Sequence, residues 1–141
     1  MAEPELVIDQ PSADEVERLV DFFMSDMREL GLGPRRAAMR SVTETMLEDD
    51  RAHLRVARRH GRVVGAVVAT EFYSIKFPGR ALWIEELYVD PAERRGGIGR
   101  QLVEHLLDWA HDEGFAGVEL EAYRMNTAAS ILYRTLGFRR L

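Results

Sequence analysis

Apolar residues recur at Val16, Leu19, Val20, Phe23, Met27 and Leu30, the spacing of a helix with one buried face. Ser12 precedes the run as a helix N-cap, and Gly31-Leu32-Gly33-Pro34 stops it. Ahead of it, residues 5 to 9 form a short β-like run closed by Gln10-Pro11. Residues 35 to 48 carry a weaker helical pattern, with Ala37, Ala38, Met39, Val42, Met46 and Leu47 as its apolar members. The period then changes. Residues 52 to 59 alternate, His60-Gly61 supplies a tight turn, and residues 63 to 69 are a continuous apolar run rich in valine. That pattern predicts a hairpin leading into a buried strand. Pro78-Gly79 breaks the chain before a further strand over 81 to 89, which Asp90-Pro91 closes. Ile98, Leu102, Val103, Leu106 and Ala110 return to helical spacing, and Glu113-Gly114 ends that helix. Val118, Leu120 and Ala122 alternate with Glu119, Glu121 and Tyr123 as a half-buried strand, and a last helix runs from about Thr127 to Leu136, stopped by Gly137.

The order is β-α-α-β-β-β-α-β-α, with a few residues left for a final strand that is short or truncated at Leu141. It predicts a mixed α/β (α+β) sheet in which hairpins and one β-α-β crossover share the strands, which is not the doubly wound nucleotide-binding arrangement. No repeat or linker divides residues 1 to 141, so one domain is expected.

Composition narrows the classes of function. A formal net charge of -5 argues against a nucleic-acid or anionic-membrane partner, since both favour a basic face. There is no cysteine, which excludes disulfides, thiolate metal sites and a cysteine nucleophile. The acidic start lacks a basic segment followed by an apolar run, and no apolar stretch approaches the roughly 20 residues of a membrane helix, so a cytoplasmic location is expected. Of 19 basic residues only Lys76 is a lysine. The four histidines, His53, His60, His105 and His111, lack metal-ligand spacing, and no metal is expected. Arg35-Arg36 and Arg58-Arg59 read as solvated faces.

The strongest chemical signal is Arg94-Arg95-Gly96-Gly97-Ile98-Gly99-Arg100, where a loop becomes a helix. Glycines let backbone approach a ligand, the first N–H groups of a helix lack intrahelical partners, and flanking arginines add positive charge, so the turn suits a phosphate or pyrophosphate. Taken alone it also fits an ordinary glycine-rich turn. Leu102 stands where the third glycine of a dinucleotide fingerprint would be. In the last helix Asn126, Ala129, Ser130 and Tyr133 fall on one face, available to a ligand, and Ala128, Ile131, Leu132 and Thr135 on the opposite, packing face.

Together these segments resemble the GNAT superfamily, the GCN5-related N-acetyltransferases. Arg94, Gly97 and Gly99 match its Gln/Arg-x-x-Gly-x-Gly/Ala motif, and Asn126, Ala129, Leu132, Tyr133, Gly137 and Phe138 match its Asn-x-x-Ala-x-x-Leu-Tyr-x-x-x-Gly-Phe motif. The resemblance implies acetyl-CoA as co-substrate, with backbone amides from Arg95 through Arg100 around its pyrophosphate and the strand at Leu87 and Val89 pairing with pantetheine. Asn126 would contact the pantetheine arm, Tyr133 would protonate the departing thiolate, and a strand N–H near Leu87 would polarise the carbonyl. The implied reaction is acetyl transfer to a primary amine, on a small molecule or a peptide, by direct attack in a ternary complex. An ammonium must lose a proton first, which calls for a base. Strand alternation puts Trp83, Glu85, Leu87 and Val89 on one face and Ile84, Glu86 and Tyr88 on the other, so Glu85 is the expected base, directly or through water. Equally, Glu85 and Glu86 could anchor arginines or bind a cationic acceptor. Phe22, Phe23, Met24 and Met27 read as core by periodicity, while Phe23, with Tyr73 and Phe72, could also wall the acceptor pocket. The chain ends three residues after Phe138, where such enzymes continue through another strand, so the expectation is either a very short last strand, a partner copy that completes the sheet as a homodimer, or a sequence trimmed before that strand. The rival reading is a non-catalytic acyl-CoA-binding regulatory module.

Overall fold

The computed structural model describes residues 5–121 and 127–140. Strands β1 (Val7–Asp9), β2 (Ala52–Arg59), β3 (Arg62–Ser74), β4 (Gly79–Val89) and β5 (Gly117–Leu120) form a single sheet in the order β1-β2-β3-β4-β5. The first four are antiparallel, and β5 joins β4 in parallel after the crossover helix. The helices are α1 (Val16–Glu29), α2 (Arg36–Glu48), α3 (Ile98–Asp112) and α4 (Thr127–Thr135), with one-turn 3-10 helices over Ala13–Glu15 and Pro91–Glu93. The element order is the one the patterning predicts. The β3/β4 hairpin is longer than expected, because β3 runs on to Ser74 and β4 begins at Gly79. Among the described residues no strand follows α4, and none of the helices is long and apolar enough to cross a membrane.

The sheet separates two apolar cores. On one face α3 contributes Ile98, Leu102, Val103, Leu106 and Ala110 against Ala57, Val64, Val67, Ala69, Leu82 and Ile84, with Tyr133 and Leu136 at its border. On the other face Leu19, Phe22 and Phe23 of α1 meet Leu54, Val56, Val63, Ala66, Val68 and Tyr88. Gly65 lets α3 lie this close. A Cβ there would stand 3.1 Å from Ile98 Cγ2, 3.2 Å from Leu102 Cδ1 and 3.3 Å from the Tyr88 carbonyl oxygen. Phe23 is 3% exposed, the core position its periodicity predicts, and the further acceptor-wall role considered for it is not seen.

Arg58-Arg59 is not the solvated face the sequence suggests, whereas Arg35-Arg36 stays exposed as expected. Arg58 reaches back from β2 to Glu15, with Nη2 to Oε1 at 2.6 Å and Nε to Oε2 at 2.8 Å, and it also pairs with Asp9. Glu15 Oε1 in turn accepts from the Ser12 N–H at 2.8 Å, so one guanidinium joins β1, β2 and the entry to α1. Arg59 pairs with Glu93 at 3.1 Å, and Arg36 with Glu17 and Asp21, each at 2.8 Å.

Candidate active site

The site begins with a fault in β4. Val68 of β3 opposes Glu86, yet the next residue, Ala69, opposes Ile84. Glu85 is therefore an unpaired extra residue, a β-bulge, and the alternation expected along the strand fails there. Leu82, Ile84, Leu87 and Val89 pack on the α3 side, whereas Tyr88 packs on the α1 side. Ile84, not Glu85, thus shares the face of Leu87 and Val89, and Glu85 is left exposed. Glu86 is the acid directed to the α1 side, where its protonated carboxyl donates a hydrogen bond to Asp26.

Past the bulge, no described strand pairs with the outer edge of β4. β5 pairs with β4 only from Ala81 to Ile84, and beyond Leu120 the described part of β5 ends. The Asp90 N–H bonds the Val64 carbonyl, so alternate residues of β4 aim at β3, and Leu87 and Val89 turn their N–H and C=O groups to the open edge. Charged neighbours occupy two of those groups. The Leu87 N–H donates to Glu86 Oε1 at 3.0 Å, and Arg94 Nε donates to the Val89 carbonyl at 2.9 Å. Arg94 also lies 5.0 Å from the Tyr88 ring centroid and 3.4 Å from Glu29, so its side chain is committed to α1 and β4, not to the turn it precedes.

At one end of the open edge sits the turn. Arg95 has φ 72 and Gly97, the N-cap of α3, has φ 81, both in the left-handed region. For Gly97 that conformation carries no steric cost, and nothing lies within 4 Å of where a Cβ would stand. The first intrahelical bond runs from the Gln101 N–H to the Gly97 carbonyl at 3.0 Å, which leaves the N–H groups of Ile98, Gly99 and Arg100 without intrahelical acceptors at the positive end of the helix dipole. Arg95 is exposed, and Arg100 pairs with Glu104 at 2.7 Å. A Cβ on Gly99 would stand 3.6 Å from Val89, 3.8 Å from Leu87 and 3.9 Å from Leu132, so both sequence motifs meet at this point of β4.

α4 lies against the same stretch through Leu132. Asn126 lies outside the described residues; Ala129 and Tyr133 are half-buried on the helix. The packing face is not the one expected. Ile131 is 59% exposed and Ala128 and Thr135 are exposed, while Leu132, Tyr133 and Leu136 turn inward together, three and four residues apart. Tyr133 stacks edge-on to Phe138 with ring centroids 5.8 Å apart. Burial raises the pKa of its hydroxyl, and the charges of Glu86 and Asp26 add to that, so the phenol stays protonated at neutral pH. Glu86 is itself pushed up to about 9, first by burial and then by the hydrogen bond and charge of Asp26, with the Leu87 N–H opposing and Glu29 adding.

A cleft of about 880 Å³ runs beside β5 and α4, lined among others by Lys76, Trp83, Glu119, Glu121, Tyr133 and Phe138. Glu119 departs from the half-buried pattern expected of its strand, being only 8% exposed. Tyr73, expected at an acceptor pocket, is 80% exposed near the tip of the β3/β4 hairpin and does not line this cleft. Sequence reasoning did not single out Asp26 or Glu119 for the site: Asp26 sits on a helix whose apolar spacing drew attention to its other face, and Glu119 looked like the polar half of an alternating strand. Among the described residues no group of three or more His, Asp or Glu side chains could hold a metal ion.

Compared with known proteins, residues 16–138 match the model of the acetyltransferase (GNAT) family. Human N-acetyltransferase 8 is 30% identical over 102 residues, 72% of this chain and 45% of that protein. The chain thus spans about half the length of this curated relative. The Escherichia coli ribosomal protein bS18 alanine N-acetyltransferase is 48% identical over 50 residues, 36% of this chain and 34% of that protein. An aminoglycoside N-acetyltransferase solved in complex with CoA superposes with a TM-score of 0.84 at 19% identity, covering 96% of this chain and 89% of that one.

Proposed function

The chain belongs to the acetyltransferase (GNAT) family, and from that premise we propose that it transfers an acetyl group from acetyl-CoA to a primary amine by direct attack within a ternary complex. The observation that carries this reading is the edge of β4 at Leu87 and Val89, which no described strand pairs and which lies beside the Arg95 to Gly99 turn and Leu132 of α4.

The turn suits a diphosphate. Its left-handed residues and the free N–H groups of Ile98, Gly99 and Arg100 form a concave donor surface, open above Gly97, with Arg95 exposed beside it. The edge of β4 suits an extended arm of amide groups, added as one more strand along Leu87 and Val89. Acetyl-CoA supplies a thioester carbonyl to be attacked and a thiolate to leave.

Each remaining role falls to a side chain or amide of this protein. The Leu87 N–H, held by Glu86 in the free protein, is the donor placed to bind a carbonyl oxygen at the edge, where charge develops during attack. Giving up that bond frees the Glu86 carboxyl; its raised pKa leaves it mostly protonated at neutral pH, so the ionised fraction, which grows as pH rises toward about 9, is the strong base that accepts the proton of an incoming ammonium. This assigns the base to Glu86 in place of Glu85, which the bulge leaves exposed. Tyr133, kept protonated by burial and by the acids near it, delivers a proton to the leaving sulfur. Asp26, Glu29 and Glu86 surround the acceptor side with acid, which favours a cationic amine. The names of two similar proteins, one for an alanine of a ribosomal protein and one for aminoglycosides, are both compatible with an amine acceptor.

The test is thiol release from acetyl-CoA in the presence of a panel of amines. Tyr133→Phe is expected to lower kcat by about 10²-fold, with little change in the KM for acetyl-CoA. Tight CoA binding with no amine-dependent thiol release, and no effect of Tyr133→Phe, would leave the non-catalytic binding module instead.

A further inference from the structure

Glu119 stands in the middle of β5, opposite Trp83 in the register of the sheet, with its side chain only 9% exposed. Its Oε1 lies 2.5 Å from Lys76 Nζ. Its Oε2 is buried and accepts no hydrogen bond from any described residue. A carboxylate oxygen held out of water without a donor is costly, and such a group is a standing demand for a cation.

The cation it has is loosely supplied. Lys76 lies in the turn between β3 and β4, with a side chain 59% exposed and Ile75 beside it 93% exposed, so packing does not fix the ammonium in place. The residue type matters as well. Eighteen of the 19 basic residues are arginine, whose planar fork satisfies both carboxylate oxygens at once; the single lysine donates from one point and leaves Oε2 open. Glu119, Lys76 and Tyr133 line the same cleft, and Trp83, with Phe72 edge-on to it at 6.4 Å, adds an aromatic wall of the kind that favours an organic cation.

We propose that Glu119 anchors a second positive charge on the acceptor, distinct from the nitrogen that is acetylated, and that Lys76 occupies this anchor in the free protein and yields it to the acceptor. The proposal rests on the amine-acetyltransferase reading and narrows its acceptor to molecules carrying at least two cationic groups, such as a diamine or a peptide with a basic side chain near its amine. One ammonium replaces another, so the carboxylate never becomes unpaired during the exchange.

The two partners of this ion pair then have opposite effects, which a structural staple would not produce. The experiment compares a linear diamine with the monoamine of equal length, using the full chain and acetyl-CoA. Glu119→Gln is expected to lower the diamine-to-monoamine ratio of kcat/KM by about tenfold. Lys76→Met is expected to raise the same ratio severalfold by emptying the anchor. If both variants move the ratio in the same direction, or leave it unchanged, the proposal is overturned. Titration calorimetry of the diamine reads the anchor without turnover: binding weakens in Glu119→Gln and tightens in Lys76→Met. Equal affinity in all three proteins overturns the proposal whatever the kinetics. Diamine binding that follows this pattern while no amine releases thiol upholds the anchor and rejects the transferase reading. Thermal melts show that each variant is folded before either result is read.

Discussion

Glu86 is an acid whose surroundings oppose its charge, and the sign of that opposition is measurable. Its pKa is about 9 in the folded protein against 4.5 ordinarily, so the folded state holds a proton that the unfolded chain has released. The contribution to stability is complete below pH 4.5 and is lost as pH rises through about 9. Thermal melts across that range should show Tm falling with rising pH, and Glu86→Gln, which keeps the hydrogen-bonding shape and removes the ionisation, should flatten the decline and raise Tm on the alkaline side. The same substitution should lower kcat with amines whose nitrogen is protonated at neutral pH; an unchanged kcat would return the base to water. The turn and the tyrosine helix were legible because glycine and tyrosine at those spacings are uncommon enough to form a motif. The choice between Glu85 and Glu86 was not, because it depends on the phase of a strand, and one unpaired residue reverses it.

Elements impose a different constraint, namely how closely backbones approach. Gly65 and Gly99 look alike in the sequence but differ in their surroundings. Alanine at Gly65 would press on Ile98, Leu102 and the Tyr88 carbonyl at 3.1 to 3.3 Å and should cost about 1–3 kcal/mol, seen as a lower denaturant midpoint with an unchanged slope. Alanine at Gly99 meets only ordinary contacts at 3.6 to 3.9 Å in the first turn of α3, and should be neutral to stabilising by about 0.5–1 kcal/mol. The existence and order of the elements followed from periodicity, since 3.6 and 2 are far apart as repeats. Their faces were harder to assign. On α4 the inward side includes Tyr133 itself along with Leu132 and Leu136, and a division into apolar and polar halves cannot anticipate that a tyrosine packs by its ring while its hydroxyl lies within the field of two acids.

The molecule as a whole is tied together by Arg58, which the sequence presents as one more surface arginine. Its hydrogen bonds hold Glu15 down to about 2 from 4.5, so that pair's stabilisation is complete above pH 4.5 and disappears as pH falls toward 2. Arg58→Ala should destabilise by about 2 kcal/mol at neutral pH, because Glu15 loses its partner in a mostly buried setting, and should move the acid-unfolding midpoint upward. Long-range pairings of this kind have no local signature: residues 15 and 58 are neighbours only after the sheet has formed. The bulge at Glu85 also reaches beyond its own position. It shifts the phase of β4, so that inward positions run 82, 84, 87, 89 and not in unbroken twos. If every position of β4 were replaced in turn and the variants selected for folding, the α3-facing positions intolerant of polar residues should be 82, 84, 87 and 89, with a three-residue step at the bulge, while Tyr88 should be intolerant on the α1 face. Removing Glu85 alone would restore an even rhythm and turn Leu87 and Val89 away from α3. The deletion would then swap the α3-facing and α1-facing side chains of half a strand, and should be tolerated far less well than any single replacement of that exposed residue.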